Sequence, residues 1–285
     1  MTARGTAGAE AADRGLIADE VAVDLGGRRI LDAVSFAAGG RRVIGLCGPN
    51  GSGKSTLLRT LFGALPPDSG RVLIDGDPVR RLPRREIARR IGVVLQERPG
   101  DFDFTVEEIV AMGRTVHRSR LTPFDEHSDV QVDRALAHAG LTDLRRRQFN
   151  NLSGGEKQRA MIARCIAQDT PVVLLDEPTN HLDIHYQHQV LDLVATLDAT
   201  VVMAIHDLNL AAGYCDEVYL IKDGRIVADG PVDDVLDTAL ISHVFDVQAH
   251  SFTHPVTGRP QFCFSSTAST HDRTEEAADT MKGIR

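Results

Sequence analysis

The sequence lacks the marks of several large protein classes. Its four cysteines, Cys47, Cys165, Cys215 and Cys263, show no CxxC spacing, which points away from a disulfide framework or a cysteine-built zinc site. No signal-peptide pattern opens the chain, so free thiols in a reducing cytoplasm are expected. No apolar run approaches the ~18 residues that cross a bilayer; work at a membrane would need another chain to do the spanning. Positive charge is in deficit, with 32 Lys and Arg against 40 Asp and Glu and a net charge of −8. That balance argues against a nucleic-acid partner, which favours a basic footprint. The local basic clusters, RRLPRREIARR at 80–90 and RRR at 145–147, read as solvated faces. Internal repeats are absent.

What is present suffices for a packed core: 285 residues, 42% of them hydrophobic. Residues 1–15 and 266–285 carry no apolar periodicity and read as disordered tails. Alternation at Val21, Val23 and Leu25, followed by RRILDAVSF, predicts an N-terminal antiparallel β part. Short apolar runs at 41–47 (RRVIGLC), 71 (RVLI), 91 (IGVVLQ), 171 (PVVLLDE) and 200 (TVVMAIH) read as buried strands with helices between most of them. The class is therefore α/β with a mixed, mainly parallel sheet, in one domain over 16–245. The interval 102–165 has helical periodicity and no strand run, and reads as an inserted helical subdomain. Asp223-Gly224 between two β-type runs predicts a hairpin. Residues 246–265 form an extension in which PVTGRP predicts a second, short hairpin, covering a sheet edge or aiding a dimer contact.

The stretch GPNGSGKST (Gly48, Pro49, Asn50, Gly51, Ser52, Gly53, Lys54, Ser55, Thr56) follows a buried strand and precedes a helix. This is the G-x-x-x-x-G-K-[ST] phosphate loop in its required context. The glycines let backbone N–H groups curl round a phosphate, and the helix N-terminus adds positive potential. Lys54 reaches the β/γ oxygens and the Ser55 hydroxyl can ligate Mg²⁺. Cys47 reads as a small packed residue. PVVLLDE ends a strand in two acids that alternation should point in different directions. Asp176 is placed to hold Mg²⁺ through water, and Glu177 to polarise the attacking water.

LSGGEKQR supplies a second anion element: Ser153, Gly154 and Gly155 at a helix start, with Glu156 completing an N-cap. One chain rarely needs two phosphate cradles for one nucleotide. A head-to-tail dimer does, each chain offering this element to the γ-phosphate bound by the other.

With these motifs in order, residues 16 to 245 resemble the ATPase subunit of an ATP-binding cassette (ABC) transporter. The resemblance rests on Walker A at 48–56, Gln96 at a strand end, the signature at 152–156, Walker B at 172–177 and His206 after VVMAI. It implies an ABC-type phosphate-loop ATPase that takes ATP and Mg²⁺. It implies that Gln96 touches Mg²⁺ or water and senses the membrane subunits. His206 would contact the γ-phosphate, and Asp183 would lie in the D-loop at the dimer interface. The implied partners are a second ATPase subunit, two integral membrane permease subunits and, indirectly, an extracytoplasmic solute-binding protein. The implied location is peripheral, on the cytoplasmic face of a bacterial cell membrane. One departure stands out: Leu25 sits where the family usually stacks an aromatic on adenine, which weakens base recognition.

TVEEIVAMGRTVHRS, DEPTNHLDIHYQ and the tail VFDVQAHSFTHPVTGRPQF resemble importers of iron-siderophore, haem and cobalamin compounds, in that order of preference. The non-transport alternative is an iron–sulfur assembly ATPase; a single cassette without a long coiled-coil insertion fits neither the translation factors nor the repair type. The three histidines of NHLDIHYQH do not converge: His181 precedes the helix and His188 lies about 60° round from His185, so a shared metal is not expected.

Overall fold

The computed structural model describes residues 15–95, 103–117 and 126–266. β1 (Gly15–Leu25) turns through Gly26 and Gly27, both at positive φ, into its antiparallel partner β2 (Arg28–Gly39). β3 (Val43–Cys47) and α1 (Lys54–Leu61) follow. β4 (Ser69–Ile74) and β5 (Asp77–Pro78) return to the first sheet, whose order is β2-β1-β4-β5. Then come α2 (Arg84–Arg90), β6 (Ile91–Val94), α3 (Val106–Ala111), α4 (Glu126–His138) and α5 (Gly154–Gln168). β7 (Val172–Asp176), α6 (Ile184–Ala195), β8 (Thr200–Ala204), α7 (Leu208–Tyr214), β9 (Glu217–Lys222) and β10 (Arg225–Pro231) complete the main body. Short helices α8 (Val232–Val235) and α9 (Thr238–Phe245) lead to a hairpin of β11 (Gln248–Thr253) and β12 (Pro260–Ser265).

The second sheet runs β10-β9-β3-β8-β7-β6, parallel throughout except for β10 at its edge. Its central strands carry unbroken apolar runs, Val172–Leu175 in β7 and Val201–Ala204 in β8, because both faces are covered. Val172 and Leu174 enter one core with α1 and the antiparallel sheet. Val173 and Leu175, one residue out of phase, enter the other core with α3–α7. Val202 and Ala204 divide from Val201 and Met203 in the same way. The two sheets are pinned at Tyr219, whose hydroxyl donates to Ala37 O (3.0 Å) and accepts from Ala37 N (3.3 Å). Its ring packs on Phe36 at 4.6 Å, and burial pushes its hydroxyl pKa up to about 12.

Two expectations are corrected. RVLI at 71 belongs to the antiparallel sheet, pairing with β1, not to the parallel set. A four-residue apolar run cannot announce its partner. Of the two roles expected of the C-terminal hairpin, the sheet-edge cover gives way to packing on helices. Phe262 exchanges backbone hydrogen bonds with the Asn209 side chain on α7, and Ser242 of α9 accepts from Ala249 N.

Candidate functional site

The C-terminal ends of β3, β7 and β8 lie side by side, and the loops leaving them carry the chemistry. After β3 the chain packs too tightly for a side chain at two positions, Gly48 and Gly53. A Cβ on Gly48 would lie 2.1 Å from Ile221 O, and one on Gly53, at φ 107°, would lie 2.8 Å from Leu31 Cδ2. Gly51 also has positive φ, 77°. Pro49, Asn50 and Ser52 form the turn, with Ser52 N donating to Pro49 O (3.3 Å). The loop is held from outside by a connection that no motif signals: Gly224 N donates to Ser52 O (3.1 Å) and Asp32 N to Gly224 O (2.9 Å). The predicted Asp223-Gly224 hairpin thus braces the phosphate loop against β2.

Lys54 is buried, with Nζ donating to Gly48 O (2.8 Å) and Pro49 O (3.0 Å). Burial pulls its pKa down, and the nearby Glu177 and Asp176 oppose that. Ser55 Oγ donates to Asp176 Oδ1 at 2.8 Å. Burial is the largest influence on Asp176 and raises its pKa, against the lowering effect of the Ser55 hydrogen bond. Thr56 lies in the first turn of α1, where its carbonyl accepts from Thr60 Oγ1. Cys47 is fully buried, and desolvation pushes its thiol up to about 12; it is a packed residue without nucleophilic character.

Glu177 differs from the expectation in how it is aimed. β7 ends at Asp176, and Glu177 stands outside it at φ 53°, a left-handed position unusual for a non-glycine residue. The left-handed turn, rather than strand alternation, sets its direction. Glu177 N donates to Ala204 O (3.2 Å), Asn180 Nδ2 donates to Glu177 Oε2 (2.8 Å), and His206 Nε2 donates to Glu177 Oε1. Asn180 escaped notice in the sequence because nothing in PTN separates it from an ordinary turn.

A second cluster lies at the N-termini of α5 and α6. Ser153 Oγ accepts from Glu156 N (3.3 Å) and Glu156 Oε2 accepts from Ser153 N (2.7 Å), a complete capping box. The hydroxyl proton of Ser153 remains a donor for a ligand. Gly154 is exposed and Gly155 buried. Asp183 caps α6, its Oδ1 accepting from Tyr186 N at 3.0 Å. Among the described residues no hydrogen bond or ion pair links Ser153, Gly154 or Gly155 to the loop at 48–56.

Gln96 lies outside the described residues. Leu25, 44% exposed, sits at the end of β1. The three histidines of NHLDIHYQH do not share a partner: His188 Nδ1 meets Tyr214 Oη (2.8 Å), His185 Nε2 meets Gln189 Nε2 (2.9 Å), and His181 is exposed at φ 61°. Among the described residues no three His, Cys, Asp or Glu side chains gather as a metal group, and no helix is long and apolar enough to cross a membrane.

Against known proteins, the family described as "ABC transporter" matches residues 31–180. The Cobalamin import ATP-binding protein BtuD of Halobacterium salinarum is 43% identical over 90% of this chain; the chain spans 64% of that relative's length. The Hemin import ATP-binding protein HmuV of Nocardia farcinica is 44% identical over 86% of this chain and 85% of its own length. The Ferric enterobactin transport ATP-binding protein FepC of Escherichia coli is 38% identical over 75% and 81%. A solved metal-chelate type ABC transporter in an inward-facing conformation superposes at a TM-score of 0.77 and 26% identity, over 89% of this chain and 98% of that one.

Proposed function

Since this chain belongs to the ABC transporter ATP-binding family, we propose that it is the ATP-hydrolysing subunit that drives an importer, with ferric siderophores as the solute. The observation that carries the ATPase reading is the gathering of Lys54, the Ser55–Asp176 pair and the Glu177–His206 pair where β3, β7 and β8 end.

The residues fit their proposed ligands. Gly48 and Gly53 have no room for a Cβ, so the loop presents backbone to a phosphate. Lys54 is a buried cation whose hydrogen bonds among the described residues go to two carbonyls, and a phosphate offers it stronger, charged acceptors. Ser55 and Asp176 would hold Mg²⁺, which neutralises charge developing on the phosphate oxygens. A cation there would also favour the charged form that burial disfavours in Asp176. Glu177 takes a proton from the attacking water, and His206 orients Glu177 and faces the γ-phosphate.

The second cluster supports a head-to-tail pair. Ser153 and Gly155 present a helix N-terminus that binds nothing of its own chain's phosphate loop, while Ile184, next to Asp183, is an apolar residue 75% exposed. A second copy would cover Ile184 and bring Ser153 to the other ATP. Closure of the pair then moves two permease subunits, which place this chain peripherally at the cytoplasmic face of the membrane, with a solute-binding protein beyond them.

Haem import is the second reading, favoured by the higher identity to the hemin relative than to the ferric enterobactin relative. The test is transport by the complex reconstituted with its permease, offered ferric enterobactin, haem and cobalamin in turn. Uptake of the ferric siderophore alone supports the proposal; uptake of haem alone replaces it with the second reading.

A further inference from the structure

We infer that Tyr186 is a positioning residue that locks Ser153-Gly154-Gly155 to the loop carrying Glu177 and Asp183 of the same chain, so that the two phosphate-facing elements of one subunit move together. The inference rests on the head-to-tail ATP dimer proposed above.

Gly155 has no room for a side chain, and the obstacle is Tyr186. A Cβ at 155 would lie 2.4 Å from Tyr186 Cδ1, 2.6 Å from Cγ and 2.9 Å from Cβ. Rotation about χ2 relieves only the first of these and rotation about χ1 the first two, but the third stays, because the Tyr186 Cβ is fixed by the backbone of α6. The glycine is required here by close approach rather than by a positive φ. A Cβ on Gly154 would meet Leu182 Cδ2 at 3.5 Å, so the start of α5 rests on the loop before α6 as well as on α6 itself.

The loop is tied at each step. Asn180 Nδ2 holds Glu177 Oε2 and Asn180 N donates to Glu177 O (3.1 Å). Gln187 Nε2 donates to Thr179 O (3.4 Å), and Asp183 Oδ1 accepts from Tyr186 N. A displacement of Asp183 therefore carries the Tyr186 ring, and the ring bears directly on Gly155. Donors aimed at a phosphate must be placed to within about half an ångström to work, so this contact sets whether the second anion element is in register. The state of the Glu177 loop in one subunit is thereby transmitted to the element that it offers to the other subunit's nucleotide.

The test uses the full chain with Glu177→Gln, in which ATP should hold the dimer. In that background Tyr186→Ala is expected to raise the ATP concentration needed for dimerisation, followed by light scattering, by about 10²-fold. Binding of a fluorescent ATP analogue by the monomer should stay unchanged, and Tyr186→Phe should restore dimerisation. Parent-like dimerisation of Tyr186→Ala overturns the inference, as does equal loss of nucleotide binding or failure of Tyr186→Phe to rescue. If Glu177→Gln itself forms no ATP-dependent dimer, the head-to-tail reading falls and takes the inference with it. The contact is checked independently by Gly155→Ala, which should lower the melting temperature less in a Tyr186→Ala background than alone. Equal drops in the two backgrounds overturn the contact.

Discussion

His206 Nε2 donates to Glu177 Oε1, so the residues that leave the ends of β8 and β7 hold each other directly. Glu177 is also gripped from the other side by Asn180, and a carboxylate so fixed is aimed before any ligand arrives. Glu177→Gln should keep ATP binding, because the phosphate loop is untouched, while phosphate release falls by about 10²–10⁴. Wild-type turnover in that variant would remove Glu177 from its role.

Asp176 makes a prediction with a sign. Burial raises its pKa above the ordinary carboxylate value, and the Ser55 hydrogen bond opposes the rise. The charged form is thus disfavoured in the fold, and stability declines as pH climbs from the unfolded value through the folded one. Asp176→Asn should therefore melt at a higher temperature than the parent at about pH 7 without ligand, while losing Mg²⁺-dependent hydrolysis. Ser55→Ala should let the pKa rise further. Its nucleotide binding should need more Mg²⁺, and the deficit should grow as the pH is lowered toward the raised pKa of Asp176, as read by Mg²⁺ titration.

The glycines of the phosphate loop are not equivalent. Gly48→Ala drives a methyl to within 2.1 Å of Ile221 O, whereas a Cβ at Gly51 meets nothing within 4 Å. Overpacking against backbone costs about 1–3 kcal/mol, and Gly48→Ala should lose that stability together with nucleotide binding. Gly51→Ala carries only the strain of its left-handed φ, about 1–2 kcal/mol. Chemical denaturation of both variants separates the two costs.

The central strands were readable because a strand covered on both faces is apolar at every position, as Val172 to Leu175 and Val201 to Ala204 are. The same rule misassigned RVLI, since half-burial over four residues looks identical to full burial. At the site, the residue types and their order were legible where chemistry restricts them: Lys54, Ser55, Asp176. What was not legible came from backbone geometry and distant partners. No residue type announces the left-handed Glu177 or the Gly224–Ser52 brace. Each depends on which segments meet in space, and Tyr186 against Gly155 is the same kind of fact.

The C-terminal hairpin should act on the site through α7. That helix begins at Leu208, two residues after His206, and Asp207 caps it by accepting from Asn209 N and Leu210 N. Asn209 then clasps the hairpin, accepting from Phe262 N (2.7 Å) and donating to Phe262 O (3.1 Å). Arg259 Nη1 donates to Ala212 O (3.0 Å) and Cys215 O (3.4 Å), completing the last turn of α7. Asn209→Ala leaves both Phe262 backbone groups without these partners, a loss of about 1–3 kcal/mol where water does not replace them. Amide exchange in 208–214 and in β12 should speed up, while β3, β7 and β8 stay protected, because their bonds lie within the central sheet. Exchange in 208–214 that matches the parent would mean that α7, and with it the approach to His206, is held without the hairpin.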